Sequence, residues 1–471
     1  MEESEIESQL AERLEEHGQE HALRWLPQLN EAQRRHLMEQ LVAIDYERLD
    51  EFRELVQVPP TVTSFLGIEP APVERLPVTD GQTQRDQTIR QLGAQALEAD
   101  RVAALTVAGG QGTRLRYDHP KGMYPVSPIR GKSLFELFAE QILAARQRYG
   151  CGMPWLIMTS YTNDDETRHF FSENDFFGLG EDMVHFFIQQ RNPILDAGGR
   201  LLRAEPDALL LGPDGHGGTF EALGKSRLLD VLRQGGWDLM TYFQVDNPLV
   251  TVADERFIGH HLNKDADFSC KVVPKRDPEE GLGLAVLRGG RPIVIEYVDV
   301  PPPVAAERLA NGTLRYLFGS IAIHVMDVPF AERLLGRKDS LPWHLAKKQY
   351  EIVNEEGQKV LSPKGACHKF ERFVFDALAM ADECAFVEVQ RQTQFAPVKN
   401  AEGEDSPASA RHFMQLMWIQ WLQAAGADVQ MPKNLDEPLI EISPLFASTA
   451  EQLKERIEPG WKPSFPLVLE P

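Results

Sequence analysis

The feature that most constrains the fold is the alternation of short apolar runs with helical segments after Arg101. The apolar runs predict strands at 102–107, 155–160, 184–188, 239–245 and 268–273, with helices at 133–146, 164–173, 220–234 and 254–264. Such alternation produces a mainly parallel sheet covered by helices on both faces. Closer strands at 284–287, 292–297 and 316–325 predict an antiparallel extension. We therefore expect an α/β fold with a mixed, mainly parallel Rossmann-like sheet flanked by helices.

The segments on either side of this region have a different pattern. Residues 1–57 carry apolar side chains at helical spacing, which predicts a helical amino-terminal region. Prolines predict an extended connector from Val58 to about Gln82, followed by a helix at 86–99; they are Pro59, Pro60, Pro70, Pro72 and Pro77. A helix at 408–424 and a strand-like tail predict a small carboxyl-terminal domain. The expected domains are 1–98, 99–392 and 393–471.

The net charge limits the partners of this chain. A formal charge of −22 repels nucleic-acid backbones and anionic lipid, so neither is expected as a partner. No apolar segment is long enough to span a membrane, and the amino terminus is acidic, which predicts a cytoplasmic location. The four cysteines form no CxxC pair and have no histidine at zinc spacing, so we expect reduced, mostly buried thiols.

A glycine-rich run, LTVAGGQGTRL, directly follows the first strand of the predicted sheet. Gly109, Gly110 and Gly112 allow the backbone to approach a ligand and to present N–H groups to phosphate oxygens. Arg114 adds a guanidinium suited to bidentate phosphate contact, and Lys121 lies on the same loop system. A glycine cluster alone is more often a tight structural turn. The two nearby cations in an acidic chain favour phosphate binding.

Two better-known phosphate loops do not fit this run. A P-loop requires GxxxxGK followed by Ser or Thr, and no lysine here has that position. The dinucleotide fingerprint requires GxGxxG, but Leu115 stands where the third glycine of a motif begun by Gly110 would be. A dinucleotide oxidoreductase is therefore a weak alternative, and a lack of NAD(P)H binding would exclude it.

Asp246 ends the fourth predicted strand, in the run QVDN. The carboxyl end of a strand is where an α/β sheet presents catalytic groups. From these residues alone, a metal-binding carboxylate and an ordinary Asp-Asn turn are equally good interpretations.

The run GGQGTRL, followed by HPKGMYPV and GKSLFELFAEQI, resembles the signature of the eukaryotic-type UDP-sugar pyrophosphorylases, and among them most the UDP-N-acetylglucosamine pyrophosphorylases. Further matching segments follow in the family's order between Ala103 and Ser443. They are MTS at 158–160, PDGHGG at 213–218, VDN at 245–247, KVV at 271–273, EY at 296–297, FVFD at 373–376, FAPVKN at 395–400 and ARH at 410–412. The resemblance implies a GT-A-like nucleotidyltransferase that converts UTP and a sugar 1-phosphate into a UDP-sugar and diphosphate, by direct attack without a protein nucleophile.

The resemblance also implies roles for individual residues. The catalytic cations around the phosphates would be Arg114, Lys121, Lys369 and Lys399. The nucleotide would be held by Gly109, Gly110, Gly112, Gln189, Gly215, His216 and Asp246, with Gln190 as the alternative to Gln189. Asp246 would also bind Mg²⁺, the expected cofactor. Without the resemblance, Lys399 would be a solvated surface charge and Gln189 an ordinary surface residue.

The sugar side carries one departure from the family pattern. The family positions around the hexose correspond to Gly283, Glu296, Tyr297, Ser320, Phe373 and Phe375. The two phenylalanines are equally typical of a buried core. The family's Gly-Asn-Ile is Gly319-Ser-Ile321 here, so the serine lacks the amide that contacts the N-acetyl group.

N-acetylglucosamine 1-phosphate is the first expectation for the substrate. Glucose 1-phosphate, or a wider range of sugar phosphates, is the alternative within the class. A non-catalytic sugar-nucleotide sensor is disfavoured because Arg114, Lys121, Asp246 and Lys399 are all present.

Overall fold

The protein is described here from a computed structural model that covers residues 3–58, 65–337, 341–432 and 434–471. The predictions that involve Pro59 and Pro60 lie outside the described residues. The α-helices are α1 Glu3–Glu16, α2 Glu31–Val42, α3 Tyr46–Gln57, α4 Asp80–Glu98, α5 Leu134–Tyr149, α6 Asp164–Glu173, α7 Thr219–Lys225, α8 Leu228–Gly235, α9 Glu255–Asn263, α10 Pro302–Ala305, α11 Val328–Leu335, α12 Arg391–Gln394, α13 Pro407–Ala424 and α14 Ala450–Lys454.

The strands alternate with these helices through most of the chain. They are β1 Ile68–Pro70, β2 Val73–Glu74, β3 Val102–Val107, β4 Trp155–Thr159, β5 Val184–Ile188, β6 Arg191–Pro193, β7 Arg203–Glu205, β8 Ala208–Leu209, β9 Leu211–Pro213, β10 Leu239–Gln244, β11 Phe268–Pro274, β12 Leu284–Arg288, β13 Arg291–Ile295, β14 Phe318–Asp327, β15 His344–Lys348, β16 Glu351–Val353, β17 Lys359–Leu361, β18 Cys367–Glu371, β19 Cys384–Glu388, β20 Ile440–Ile442 and β21 Leu467–Leu469. Short 3₁₀ helices lie at Glu20–Gln28, Thr113–Leu115, Lys121–Met123, Asp175–Gly178, Glu181–Met183, His216–Gly218, Tyr297–Asp299 and Val374–Met380.

The chain groups into two compact units, each assembled from separated segments. The helical unit comprises Met1–Val62, Gln190–Gly218 and Leu341–Val374, and the sheet unit comprises Thr63–Gln189, Thr219–Ser340 and Phe375–Pro471. The predicted domains, with boundaries at residues 98 and 392, are continuous stretches of sequence. The two units of the structure instead combine segments that are distant in sequence.

The sheet unit is built on a large mixed sheet with the strand order β2-β19-β11-β14-β10-β3-β4-β5. β3 pairs in parallel with β10 and β4, and β4 pairs in parallel with β5. β14 runs antiparallel between β10 and β11, and β12 continues the sheet antiparallel to β14. These pairings confirm the predicted α/β class with its mainly parallel sheet and antiparallel extension. Side chains of α13 are buried in the same core as β3 and β4.

The helical unit has its own core, in which α1, α2 and α3 cover short strands. Leu14, Leu41 and Phe52 share this core with Leu201 and Phe370. The ring of Phe52 stacks on that of Phe370 at a centroid distance of 4.0 Å. The apolar stripe of each helix is thus buried against strands that come from much later in the chain.

Two predicted helices differ from the structure. The single helix predicted at 220–234 is wrong, because Arg227 adopts a left-handed φ of 60° and separates α7 from α8. α4 begins at Asp80 rather than at residue 86, because Thr79 and Gln82 form a capping box. Within the predicted connector, β1 and β2 pair with β12 and β19 of the sheet.

The thiols and the helices agree with the expectations from composition. All four cysteines are free, and Cys151, Cys270 and Cys367 are buried. Among the described helices, none combines the length and the apolarity that a membrane span requires. The cytoplasmic location stays a prediction.

Candidate functional site

Parallel strands bring several loops of the sheet unit to one edge. β3, β4 and β5 run in the same direction as β10, so the residues that follow them meet at their carboxyl ends. We call this edge, defined by Gly109, Lys121, Gln189, Asp246 and Lys399, the catalytic edge. The sequence predicts each of these residues as part of a site.

Gly109 lies where the backbone after β3 passes close to the loops after β4 and β5. A Cβ atom added to Gly109 would lie 3.1 Å from Oε1 of Gln189 and 3.2 Å from Cβ of Ser160. A side chain here would therefore push against both neighbours. Gly109 and Gln189, which the sequence assigns to nucleotide binding, are thus in direct proximity. The predicted alternative, Gln190, belongs to the helical unit.

Gly112 has a structural reason to be glycine. Its N–H donates to the carbonyl of His119 at 3.0 Å, and its carbonyl accepts from Leu115 and Tyr117 at 2.7 and 3.2 Å. An added Cβ would lie 2.7 Å from the carbonyl oxygen of Tyr117. The loop therefore uses this amide to hold its own shape. Its predicted contact with the nucleotide stays a prediction.

Arg114 and Leu115 are neighbours in the same loop but differ in their exposure to solvent. Leu115 is buried in the core beside the sheet, which explains why the position that a dinucleotide motif reserves for glycine is apolar here. Arg114, one residue earlier in the same 3₁₀ turn, is exposed. This arrangement leaves the guanidinium accessible to solvent.

Lys121 and Asp246 form the centre of the catalytic edge. The Nζ atom of Lys121 lies 3.6 Å from Oδ2 of Asp246, and each side chain is only 11% exposed. The N–H of Lys121 donates to the carbonyl of Gly110 at 3.1 Å. An added Cβ at Gly122 would lie 2.2 Å from the ring of Phe135, so this glycine lets the lysine turn pack against α5. The structure brings together the lysine that is predicted as catalytic and the aspartate that is predicted to bind the nucleotide and Mg²⁺.

The backbone around Asp246 holds the segment that carries Lys399. The carbonyl of Asp246 accepts from the N–H of Val398 at 2.7 Å. The side chain of Asn247 accepts from the N–H of Ala396 at 3.0 Å and donates to the carbonyl of Gln394 at 2.8 Å. Asn247 was not predicted as a site residue. Its role is to dock residues 394–398 beside the end of β10.

Asp405 is a second acidic residue near Asp246 that sequence reasoning missed. Its carbonyl accepts from the N–H groups of Lys399 and Asn400 at 2.6 and 2.9 Å, and its φ is 52°. Burial raises the pKa of Asp405, the Lys399 ammonium lowers it, and the Asp246 carboxylate raises it. The signal in the sequence is its position directly before Ser406, which caps α13.

Asp246 is the residue of the catalytic edge best suited to hold a metal ion. Among the described residues, no group of three or more His, Cys, Asp and Glu side chains is arranged to bind a metal by itself. Asp246 offers a single buried carboxylate, which lies beside Lys121. This donor set does not suit a structural metal that requires a complete protein cage.

Three of the predicted sugar-side residues, Gly283, Glu296 and Ser320, lie where β12, β13 and β14 meet. The carbonyl of Gly283 accepts from the N–H of Ser320 at 2.9 Å. An added Cβ at Gly283 would lie 3.9 Å from Oε1 of Glu296. Tyr297 is 48% exposed, and Phe375 is buried. The structure thus brings Gly283, Glu296 and Ser320 together.

The hydroxyl of Ser320 makes contacts inside the sheet. Its Oγ lies 3.1 Å from Sγ of Cys270 and accepts from the N–H of Ala322 at 3.3 Å. The pairing of β11 with β14 is irregular here, and Ala322 has a φ of 56°. The serine that departs from the family pattern therefore sits at an irregular point of its strand.

The remaining predicted residues belong to the helical unit. Gly215 has a φ of 83°, and an added Cβ would lie 2.3 Å from the carbonyl oxygen of Arg372. Nδ1 of His216 accepts from the N–H of Val374 at 3.1 Å. The ring of Phe373 stacks on His216 at 5.3 Å and on His344 at 4.4 Å. We call His216, Phe373 and His344 the aromatic stack.

His216 is held in its neutral form within the aromatic stack. Burial, and to a smaller degree the nearby His344, lowers the pKa of His216 to about 4. The imidazole is therefore uncharged at neutral pH. Lys369, in the same unit, donates to Glu371 at 2.6 Å, and its side chain is 14% exposed. This predicted catalytic lysine is paired with a carboxylate in the structure.

Comparisons with known proteins agree with the family that the motifs indicate. Residues 67–460 match the UDPGP family, described as UTP--glucose-1-phosphate uridylyltransferase. The chain is 34% identical over 497 residues to UDP-N-acetylhexosamine pyrophosphorylase-like protein 1 of Homo sapiens, covering 98% of this chain and 97% of that protein. It is 32% identical over 464 residues to UDP-N-acetylglucosamine diphosphorylase 2 of Arabidopsis thaliana, covering 94% and 90%. The crystal structure of the uridine diphosphate N-acetylglucosamine pyrophosphorylase of Trypanosoma brucei in complex with inhibitor is 29% identical, with a TM-score of 0.80 and coverage of 96% and 94%.

Proposed function

Because the chain belongs to the UDPGP family of UTP--glucose-1-phosphate uridylyltransferases, we propose that it transfers the uridylyl group of UTP to N-acetylglucosamine 1-phosphate. Family membership confirms the predicted enzyme class, a nucleotidyltransferase that makes UDP-sugars. The choice of N-acetylglucosamine follows the names of the relatives that match nearly the whole chain.

The observation that carries the proposal is the convergence of charged groups at the catalytic edge. Lys121 lies 3.6 Å from Asp246, and the segment that carries Lys399 is bonded to the backbone of Asp246. The chain as a whole has a charge of −22. Two phosphate-bearing substrates meet only where local positive charge offsets both their mutual repulsion and the field of the protein. Lys121 and Lys399 bring cations to the catalytic edge, and a metal ion held by Asp246 would offset the negative charge of that carboxylate.

The proposed reaction is a direct displacement at phosphorus. A phosphate oxygen of the sugar 1-phosphate attacks the α-phosphorus of UTP, and the bond from that phosphorus to the bridging oxygen breaks. Diphosphate leaves with the electron pair of that bond. Lys121 and Lys399 stabilise the negative charge that develops on the phosphate oxygens, and Arg114 orients the terminal phosphates. No side chain forms a covalent bond.

Mg²⁺ fits the residues present. In phosphoryl-transfer sites this ion takes one or two protein carboxylates, substrate phosphates and water. Asp246 offers one buried carboxylate at the end of a strand, which matches this requirement. When bound, the ion would neutralise charge between the reacting phosphate groups. Lys121, beside Asp246, keeps the carboxylate oriented before the substrates arrive.

Recognition of the nucleotide is assigned to a carboxamide and to flat neutral rings. Gln189 carries a donor and an acceptor, which match the imide edge of uracil, and Gly109 leaves room beside it. In the helical unit, Gly215, His216 and the ring of Phe373 offer backbone groups and a flat surface. The predicted contact of Lys369 with phosphate stays a prediction.

The sugar pocket favours one alternative within the class. Ser320 uses its hydroxyl for contacts with Cys270 and Ala322, and it has no amide for an N-acetyl group. Glu296 accepts hydrogen bonds from sugar hydroxyls that glucose and N-acetylglucosamine share. This observation favours an enzyme that also accepts glucose 1-phosphate, as the second candidate function.

The test is a measurement of diphosphate release from UTP and Mg²⁺ with a panel of sugar 1-phosphates. We expect the highest kcat/KM with N-acetylglucosamine 1-phosphate and measurable turnover with glucose 1-phosphate. Turnover with glucose 1-phosphate alone would replace the first candidate by the second. No diphosphate release with any sugar phosphate would contradict the proposed function.

A further inference from the structure

A cavity of about 800 Å³ opens in the sheet unit away from the catalytic edge. Its walls come from α4, α5, the start of α9, α12, α13 and residues 448–452. None of the site residues predicted from the sequence lines it. We call it the α12 cavity and define it by Gln87, Ala144, Thr251, Gln394 and Trp421, which represent its walls.

Most of the charged side chains in these walls form ion pairs, either with one another or, for Asp254, with Lys271 outside the lining. Arg256 contacts Asp86 at 2.5 Å, and Arg90 contacts the other oxygen of Asp86 at 2.9 Å. Asp254 is paired with the buried Lys271 at 2.6 Å. An ionic ligand would have to break these pairs, and a buried pair that loses one partner is strongly destabilised. The cavity is therefore suited to an uncharged ligand.

The remaining wall is rich in uncharged hydrogen-bonding groups around an aromatic ring. Carboxamides and hydroxyls line it next to the half-buried indole of Trp421: Gln87, Gln141, Thr251, Thr393, Gln420 and Gln452. Carboxamides donate and accept at the same time, as the hydroxyls of a sugar do. An aromatic face covers the apolar C–H side of a sugar ring. The chemistry of the wall thus matches an uncharged sugar.

One wall of the cavity is linked by hydrogen bonds to the catalytic edge. The carboxamide of Gln394 accepts from Nζ of Lys271 and donates to the hydroxyl of Thr251, each at 2.8 Å. The carbonyl of Gln394 accepts from the side chain of Asn247 at 2.8 Å. The next residue in this chain of contacts is Asp246, which holds Val398 through its carbonyl. These contacts form a continuous path from α12 through Asn247 to the backbone of Asp246 and the segment before Lys399.

We propose that the α12 cavity binds an uncharged sugar as an effector, and that its occupancy changes the order of residues 394–400 at the catalytic edge. The effect on turnover rests on the proposed function. Binding and local order do not, and they are measured separately.

Binding is tested by calorimetric titration of the full chain with free N-acetylglucosamine and, separately, glucose. We expect saturable binding of at least one sugar. The variant Ala144→Trp fills the cavity from α5 and should weaken binding at least tenfold, whereas Gln147→Trp, on the same helix but outside the cavity, should not. Absence of saturable binding, or binding unchanged by Ala144→Trp, overturns the proposal.

A second pair of variants with smaller changes in side-chain volume tests the site even if Ala144→Trp fails to fold. Gln87 and Gln84 lie on exposed positions of α4, and only Gln87 lines the cavity. Gln87→Ala should weaken sugar binding several-fold, and Gln84→Ala should leave it unchanged. Equal affinities in the two variants would contradict a site in this cavity.

The link to the catalytic edge is tested by hydrogen exchange. Sugar at saturating concentration should slow amide exchange at residues 394–400 at least threefold in the wild type and not in Ala144→Trp. Unchanged exchange in the wild type overturns the effector role. If the proposed function is wrong, diphosphate release is absent while binding and exchange still respond to the sugar.

Discussion

The catalytic edge and the aromatic stack differ in their chemistry. At the catalytic edge, Lys121 and Asp246 keep opposite charges 3.6 Å apart, with little exposure to solvent. In the aromatic stack, a neutral His216 lies against Phe373. The acidic chain thus concentrates charge in one place and presents uncharged flat surfaces in another. Phosphate groups require the first arrangement, and heterocyclic or sugar rings require the second.

Removal of the Asp246 carboxylate should lower the activity of the enzyme more than any other change proposed here. We expect Asp246→Asn to lower kcat about a thousandfold, because the loss of metal-assisted charge stabilisation corresponds to about 4 kcal/mol. The measurement is diphosphate release at saturating UTP and sugar 1-phosphate, together with the thermal midpoint. The midpoint should stay close to that of the wild type, since asparagine keeps the shape of the side chain.

Asp238→Asn is the matched control for this variant. Asp238 directly precedes β10, the strand that Asp246 follows, and it pairs with Arg101 at a half-exposed position. The same chemical change there should leave kcat within about twofold, as expected for a half-exposed ion pair. Near-normal turnover of Asp246→Asn would show that the metal assignment is wrong.

Replacement of Lys399 tests whether the catalytic edge needs more than one cation. Lys399→Gln should lower kcat about a hundredfold, because a preorganised donor to the developing phosphate charge is lost. The effect should be the same for every sugar 1-phosphate, as measured by diphosphate release. Lys462→Gln, at an exposed lysine paired with Asp428, is the control. A loss that depends on the sugar would place Lys399 at the sugar and not at the phosphates.

Much of the sheet unit was predictable because its central strands, β3, β4, β10 and β11, are buried on both faces. β3, β5 and α6 have the predicted bounds, since continuous apolar runs and helical spacing are local signals. The break at Arg227 was not predictable, because a left-handed arginine leaves no compositional signal. The strands of the helical unit were also missed, because strands of two to five residues are defined by distant partners.

The candidate site shows the same limit. Lys121 and Asp246 were predicted as parts of one site because motifs mark them, and the structure brings them together. Asp405 was missed because its position next to Lys399 depends on the backbone of a polar loop. Asn247 was missed as a docking residue because its partners, Gln394 and Ala396, are remote in sequence. Side chains that organise backbone carry weaker sequence signals than those that carry charge.

The lowered pKa of His216 in the aromatic stack should make the free energy of unfolding depend on pH. We expect no effect of this histidine on charge stabilisation at the catalytic edge. His216 has a pKa of about 4 in the folded protein, below the value of about 6.5 expected when unfolded. Between these two pKa values the unfolded state therefore binds more protons than the folded state. The contribution of His216 to the free energy of unfolding is fully present above about pH 6.5 and is lost as the pH falls toward 4. Between pH 7 and pH 5 the loss is on the order of 2 kcal/mol.

His216→Asn is the variant that isolates this effect. Its carboxamide oxygen replaces Nδ1 as acceptor for the N–H of Val374 without an ionisable ring. The free energy of unfolding, measured in urea at pH 7 and pH 5, should fall less in the variant than in the wild type. An equal fall in both proteins would mean that His216 is not held neutral in the stack.

The smallest expected effect concerns Ser320. This residue is uncharged, and it belongs to neither the catalytic edge nor the aromatic stack. Ser320→Asn restores the amide that the family pattern has at this position, but it must release the contacts with Cys270 and Ala322. We expect the ratio of kcat/KM for N-acetylglucosamine 1-phosphate over glucose 1-phosphate to rise about tenfold, which corresponds to about 1.4 kcal/mol. Cys270→Ala is the control, because it removes the sulfur partner without adding an amide, and it should leave the ratio unchanged. If both substrates lose kcat/KM equally in Ser320→Asn, this residue shapes the irregular point of β14 and does not select the sugar.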